Sequence, residues 1–194
     1  HGGATRRNAQ KGLRITARNS YGAGLLNFNF FEDTPYFNYK NLLLRASGND
    51  WSGTMFKDAL LQSLVSDLNL DSQNYRPSAL YLNGEYWGIH NIREYFDEQY
   101  FMNHYGIDSG TVTVLHPERS KNGYPSVDIG KEGDELPYAE MIEYIRNNSL
   151  ADQENYEYVS TLMDVDNYID YYLAQLYFAN DDWLYHNLKV WRFK

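Results

Sequence analysis

Asp182 and Asn187 stand with four residues between them in the stretch ANDDWLYHN, residues 179 to 187. That interval suits phosphoryl transfer, which needs a carboxylate to orient the attacking hydroxyl and an amide oxygen one loop-width away to hold a magnesium ion. Counting the same interval from Asp181 lands on His186, so the register favours Asp182 as the catalytic group and Asn187 as the metal ligand. Asp and Asn are also ordinary turn and cap residues, and the pair alone does not separate a catalytic loop from a plain one. Lys11, which opens a strand-like segment after the glycine-bearing HGGATRRN, reads either as a phosphate-contacting cation or as a solvated edge-strand lysine.

The elements that would position these groups follow from periodicity. Leu13, Ile15 and Ala17 alternate with Arg14, Thr16 and Arg18, the pattern of a half-buried strand over residues 10 to 18. KNLLLRAS, residues 40 to 47, predicts a second strand, and Asn49 and Asp50 in the following GNDW are placed to cap the next turn. Phe56, Leu60, Leu64 and Leu68 recur every four residues, with Ala59 and Val65 beside them, and predict an amphipathic helix. Asn83-Gly84 between two strand-like runs predicts a tight hairpin. A helix is expected from about Asp97 to Tyr105-Gly106, a short strand over 111 to 116, and a long surface loop over 117 to 137. Helical spacing resumes at Tyr138, a longer helix carries Val165 to Tyr177, and LKVWRFK alternates like a closing strand. The order is that of an α+β chain in which a small sheet with one helix and a hairpin, residues 1 to 96, precedes a mostly helical part, residues 97 to 194.

Composition narrows the partners. With 17 basic against 26 acidic residues the formal charge is −9, which disfavours the phosphate attraction that nucleic-acid binders use. No run approaches the roughly 18 apolar residues of a membrane span. No cysteine is present, so thiolate catalysis, thiolate metal sites and disulfides are excluded. The histidines at 1, 90, 104, 116 and 186 lack zinc-pair spacing, and DVDNYID lacks the sixth-position glycine of a calcium loop, reading instead as helix N-terminal carboxylates. No G-x-S-x-G elbow supports a serine hydrolase.

Taken in order, HGGATRRNAQKGLRITARNSYG, LRASGNDW with FKDALLQSL, LYLNGEYWGIHNIREYFD and NDDWLYHNLKVWRF resemble successive blocks of the CotH kinase family, the spore-coat protein H-like proteins. The resemblance runs along nearly the whole chain. It implies a protein-kinase-like, two-lobe fold and use of ATP with Mg2+ or Mn2+ to phosphorylate serine or threonine of an extracytoplasmic, secreted or surface protein. On this resemblance Asp182 matches the catalytic-loop aspartate, Asn187 the metal-side asparagine, and Lys11 the lysine of the N-terminal block. Glu94 matches the glutamate closing the hairpin block and stands among the cofactor-binding candidates. Asp58 is either the acid that pairs with Lys11 or an exposed helix carboxylate.

No DFG-like or DTD-like segment follows Asn187 before Lys194, and no leader precedes His1. The expectation is a processed or truncated kinase-like fragment without the second metal-binding aspartate, the activity being assigned to the full-length parent. The competing reading is a non-catalytic module that binds carbohydrate or protein through its aromatic residues.

Overall fold

The computed structural model describes residues 4–32, 34–121, 124–183 and 187–194. Gly2 and Gly3 of the opening loop, and Leu184, Tyr185 and His186 between Asp182 and Asn187, lie outside the described residues. The chain divides into two compact units, one of His1–Asp67 with Asp71–Gly106, the other of Leu68–Leu70 with Ile107–Lys194. The boundary expected at residues 96 and 97 lies just ahead of a helix that the structure keeps with the first unit. Both units mix α and β, with all described strand pairs antiparallel.

In the first unit, β1 (Leu13–Thr16), β4 (Asn41–Arg45), β5 (Tyr75–Leu82) and β6 (Glu85–Glu94) form a sheet in the order β1-β4-β6-β5. Short β2 (Leu26–Asn27) and β3 (Asn38–Tyr39) pair separately. The β5–β6 turn is as predicted: Asn83 and Gly84 both have positive φ, 53° and 86°, the conformation a two-residue type I′ loop requires. Helix α2 (Glu98–Tyr105) also follows its sequence signals. Asp97 accepts a hydrogen bond from Tyr100 N at 3.0 Å, and Gly106 ends the helix in the left-handed region. Leu42 and Leu44 of β4 point to one face of the sheet, where Phe31, Tyr39 and Leu42 form a buried cluster with Phe30, Tyr36 and Ile92 around it.

The opposite face corrects one expectation. Helix α1 (Lys57–Ser63) turns its apolar repeat outward, leaving Phe56, Leu60, Leu64 and Leu68 exposed. It presents Asp58 and Gln62 inward instead: Asp58 Oδ2 accepts from Arg93 Nη1 at 2.9 Å, and Gln62 Oε1 from Gln73 N at 2.7 Å. The reason is the surface beneath it. Arg45, Asn91 and Arg93 share that face of β4 and β6, and leucine packed on a buried guanidinium would leave the charge without a partner. At the start of α1, Asp50 accepts from Thr54 Oγ1 at 2.6 Å, Thr54 N at 3.0 Å and Lys57 N at 3.0 Å, the capping role expected of it. The Thr54 hydroxyl first, with the two amides, holds its carboxyl below the ordinary carboxylate range. Asp50→Ala is therefore expected to lower stability by about 1 kcal/mol in urea unfolding at neutral pH. With the folded pKa depressed, that difference is present above about pH 4 and shrinks as pH falls through the folded value.

In the second unit β8 (Tyr124–Ile129), β7 (Val112–Lys121) and β9 (Val190–Phe193) form a sheet in that order. The loop expected over 117 to 137 is thus largely paired strand, and among its described residues irregular chain lies between Ile129 and Leu136. Helices α3 (Leu136–Asn147), α4 (Gln153–Ser160) and α5 (Val165–Tyr177) complete the unit. Asp164 caps α5 by accepting from Asn167 N at 2.9 Å, which is the role read for DVDNYID. Val112, Val114, Leu115, Met141, Val159 and Ala174 are its buried apolar residues.

Candidate functional site

The stretch that carries Asp182 is fastened to the end of α5. Past Tyr177 the chain bends through Ala179 at φ 48°, and Asn180 returns to the helix, its N donating to Gln175 O at 3.1 Å and its Nδ2 to Gln175 Oε1 at 2.6 Å. Asn180 Oδ1 then accepts from Asp182 N at 3.1 Å. Trp183 packs edge-on against Tyr172 and Tyr171 of α5, with centroids 4.8 and 5.8 Å away. On the exit side Lys189 Nζ lies 2.5 Å from Asp128 Oδ2 on β8, and His116 Nε2 lies 3.5 Å from the same oxygen. Burial raises the Asp128 pKa, but Lys189 and His116 outweigh it and leave the carboxyl below its ordinary range.

Between these anchors Asp182 and Asn187 come together. Asn187 Nδ2 donates to both the backbone oxygen and Oδ2 of Asp182, each at 3.2 Å. Asn187 has φ 63°, a left-handed conformation that asparagine tolerates better than most residues. The amide nitrogen is committed to Asp182, which leaves Asn187 Oδ1 as the oxygen that could serve a cation. A neutral oxygen next to a carboxylate is the hard donor set that Mg2+ or Mn2+ favours. Among the described residues no group of three or more His, Cys, Asp or Glu is placed to hold a metal. The pair would therefore supply part of a coordination shell that phosphate oxygens and water complete.

The other candidates lie in the first unit. Lys11 Nζ donates to Asn8 O at 2.6 Å, which curls the side chain back toward the chain's opening turn. Its own carbonyl meets His90 Nε2 at 2.9 Å. Asn8, in turn, donates from Nδ2 to Gly48 O at 3.3 Å and lines an open pocket with Thr5, Gly48, Asn49, Trp51 and Ser52. Its volume is about 170 Å³, below the 300–1,000 Å³ of a typical drug-sized site and suited to a smaller polar group.

Of the two readings of Asp58, a partner of Lys11 or an exposed helix carboxylate, the structure shows neither alone, since its partners are arginines on the sheet and its side chain is 39% exposed. Arg93 Nη1 is 2.9 Å and Arg45 Nη1 3.7 Å from its Oδ2. Arg93 is 1% exposed, and its Nε and Nη2 have no hydrogen-bond partner among the described residues. Burial lowers its pKa, with Arg45 adding to that and Asp58 opposing it.

Glu94, expected near a cofactor, is 2% exposed and committed to internal donors. Asn74 N and Nδ2 donate to its Oε2 at 3.0 and 2.8 Å, and Tyr36 Oη donates to Oε1 at 3.0 Å. His104 Nε2 lies 3.1 Å from Oε1 and 2.6 Å from Tyr36 Oη, with its ring stacked on Tyr100 at 4.0 Å. Burial, then the Glu94 charge, pushes the Tyr36 hydroxyl pKa far up. The carboxylate is the hub of a structural network.

The sequence reading did not single out Arg45, Arg93, Tyr36, Asn74, His104, Asp128 or Lys189. Their partners are distant in sequence, and only the strand expected at KNLLLRAS hinted at where Arg45 lies. No helix is long and apolar enough to cross a membrane among the described residues. The family model described as CotH kinase protein matches residues 1–194, the whole chain. No curated protein matches the chain.

Proposed function

The chain belongs to the CotH kinase family, and from that premise we propose that it transfers the γ-phosphoryl group of ATP to serine or threonine hydroxyls of a secreted or surface protein. The observation that carries the proposal is the direct contact of Asp182 with Asn187 across an interval suited to phosphoryl transfer. Included in it is a kinase-like division of labour, with a sheet-bearing part that handles phosphates and a mainly helical part that presents the catalytic loop.

In this reading Asp182 accepts a hydrogen bond from the acceptor hydroxyl and takes its proton as the oxygen bonds to the γ-phosphorus and the bond to the leaving ADP oxygen breaks. Asn187 keeps that carboxylate in place through Nδ2 and offers Oδ1 to the divalent cation. The cation, when bound, neutralises charge on the phosphates. Lys11, beside the pocket of Thr5, Asn8 and Gly48, offers an ammonium to phosphate oxygens.

The test is incorporation of label from [γ-32P]ATP into a serine-rich acceptor protein, with Mg2+ or Mn2+ present and with chelator added. Label no higher with metal than with chelator would end this reading. Asn187→Gly keeps the left-handed backbone at no steric cost and removes the amide. The metal concentration for half-maximal transfer is expected to rise by roughly 10–100-fold, the scale seen when a metal's surroundings are disturbed. An unchanged metal requirement would remove Asn187 from the site.

A second reading, a non-catalytic binding module, draws on the tip of the β5–β6 hairpin, where Tyr81, Tyr86 and Trp87 are exposed and the two tyrosine rings lie 5.4 Å apart. Such a surface suits stacking on a carbohydrate or protein. Transfer activity that survives Trp87→Ala would separate the two.

A further inference from the structure

The open pocket of the first unit joins the chain's opening turn to the loop between β4 and α1, and its lining is Thr5, Asn8, Gly48, Asn49, Trp51 and Ser52. Among the described residues no ionisable side chain lines it, so the lining offers a charged ligand no counter-charge. What it does offer is one indole among hydroxyls and amides. The side chain of Asn49 and the hydroxyls of Thr5 and Ser52 make no hydrogen bond among the described residues, which leaves them to a ligand.

The indole is held in place from the sheet. Trp51 Nε1 donates to Gln10 Oε1 at 3.0 Å, while Gln10 Nε2 donates to Ile89 O at 2.5 Å and meets His90 Nδ1 at 3.1 Å on β6. Gln10 thus commits its donor to β6 and its acceptor to the tryptophan. With its single N–H engaged, Trp51 presents only carbon surface to the pocket. Asn8 Nδ2 donates to Gly48 O at 3.3 Å, which ties the opening turn to the loop and leaves Asn8 Oδ1 as an acceptor. Gly48 has φ 59°, so the bend that carries Asn49, Trp51 and Ser52 past this tie is one a side chain would strain. A site fastened in this way loses little freedom when a ligand enters.

We propose that this pocket binds one uncharged sugar ring, a hexose unit of a glycan, with a C–H face of the ring against Trp51 and its hydroxyls on Thr5, Asn8, Asn49 and Ser52. A hexose carries both halves of that chemistry. Its C–H groups give one face an apolar character suited to an aromatic surface, and its hydroxyls donate and accept as the surrounding amides and hydroxyls do. A volume of about 170 Å³ admits one ring and not a chain of them. Lys11 stands beside the pocket and is not in its lining, so phosphates met by its ammonium lie outside the sugar site. The site is a different surface from the hairpin tip and does not rest on the kinase reading.

The test is a titration of the whole chain with methyl β-D-glucopyranoside, methyl α-D-mannopyranoside and N-acetylglucosamine, read by 15N NMR at the indole N–H signals of its 4 tryptophans. The signal of Trp51 is the one lost in Trp51→Phe. At least one of the three sugars is expected to shift it with a Kd on the order of 1–10 mM, the range open to a ligand of about a dozen non-hydrogen atoms. Asn49 and Ser52 are exposed, so Asn49→Ala with Ser52→Ala retains the fold, and the double variant is expected to weaken that binding about ten-fold through two lost hydrogen bonds. A Trp51 signal unmoved by all three sugars at about 50 mM, or a folded double variant that binds within about two-fold of the unaltered chain, would overturn the proposal. Adenosine that moves the Trp51 signal at lower concentration than any of the sugars would overturn it too, by giving the pocket to a nucleoside. Sugar binding without phosphoryl transfer from ATP would uphold this site and count against the kinase reading, so the two fail separately.

Discussion

Asp182→Ala is expected to lower phosphoryl transfer by about 10²–10⁴-fold, the range that a positioned general base contributes. The loss should fall on kcat, because in the proposed mechanism the carboxylate acts on the hydroxyl as its proton leaves and not on the nucleotide. ATP affinity should change little. Stability should change little as well: Asp182 is exposed, and its side-chain contact is with Asn187 in the same loop. The flanking anchors, Asn180, Trp183 and the Lys189–Asp128 pair, do not use the Asp182 carboxylate. The measurement is steady-state transfer from ATP, beside ATP binding by calorimetry and a urea melt. A variant that transfers at more than about a tenth of the original rate would remove Asp182 from the chemistry.

Glu94→Ala carries the largest expected effect on stability, about 3–5 kcal/mol, the cost of removing one partner from a buried charged network. The carboxylate is 2% exposed and accepts from Asn74 twice and from Tyr36, with His104 beside both of its oxygens. Truncation removes the shared acceptor of those donors beside the Phe31, Tyr39 and Leu42 cluster, against which Tyr36 packs. Against the 5–15 kcal/mol that typically holds a domain together, the variant sits near the edge of folding. Glu94→Gln keeps one acceptor and the volume, and is expected to recover part of the loss. Denaturant midpoints compare the three proteins, and a loss under about 1 kcal/mol for the alanine variant would mean the network is better hydrated than its burial indicates.

These two residues also show what sequence pattern can and cannot reveal. The proximity of Asp182 and Asn187 was legible because it is local, so that spacing carries it, while their catalytic and metal-binding roles remain the proposal above. The Asn83-Gly84 turn, the Asp97 and Gly106 ends of α2, and the strands around Leu13 and Leu42 were legible for the same reason. Glu94 was recognisable as a position of interest but not in its role, since Tyr36, Asn74 and His104 arrive from three other segments. The leucines of α1 announced a helix but pointed the wrong way, because the deciding partner was Arg93, on a strand beyond the helix. The β7–β8 hairpin was hidden by Pro117, Glu118, Arg119 and Lys121, whose polarity reads as loop when a sheet is not in view.

The β5–β6 hairpin has a consequence in time as well as in space. Closing a two-residue loop costs little chain entropy, and hairpins of this kind form in about 1–10 μs. Pairing β6 with β4 must close a far longer stretch of chain, since Leu42 lies opposite Glu94. Assembly of the first sheet therefore starts at Asn83-Gly84 and runs away from the turn, with β6 waiting as a template for β4. Glu94 is at the end of β6 farthest from that turn, so its network closes late. Late-closing contacts slow unfolding more than they speed folding, which makes the buried carboxylate a lock on the finished sheet and not part of its nucleus.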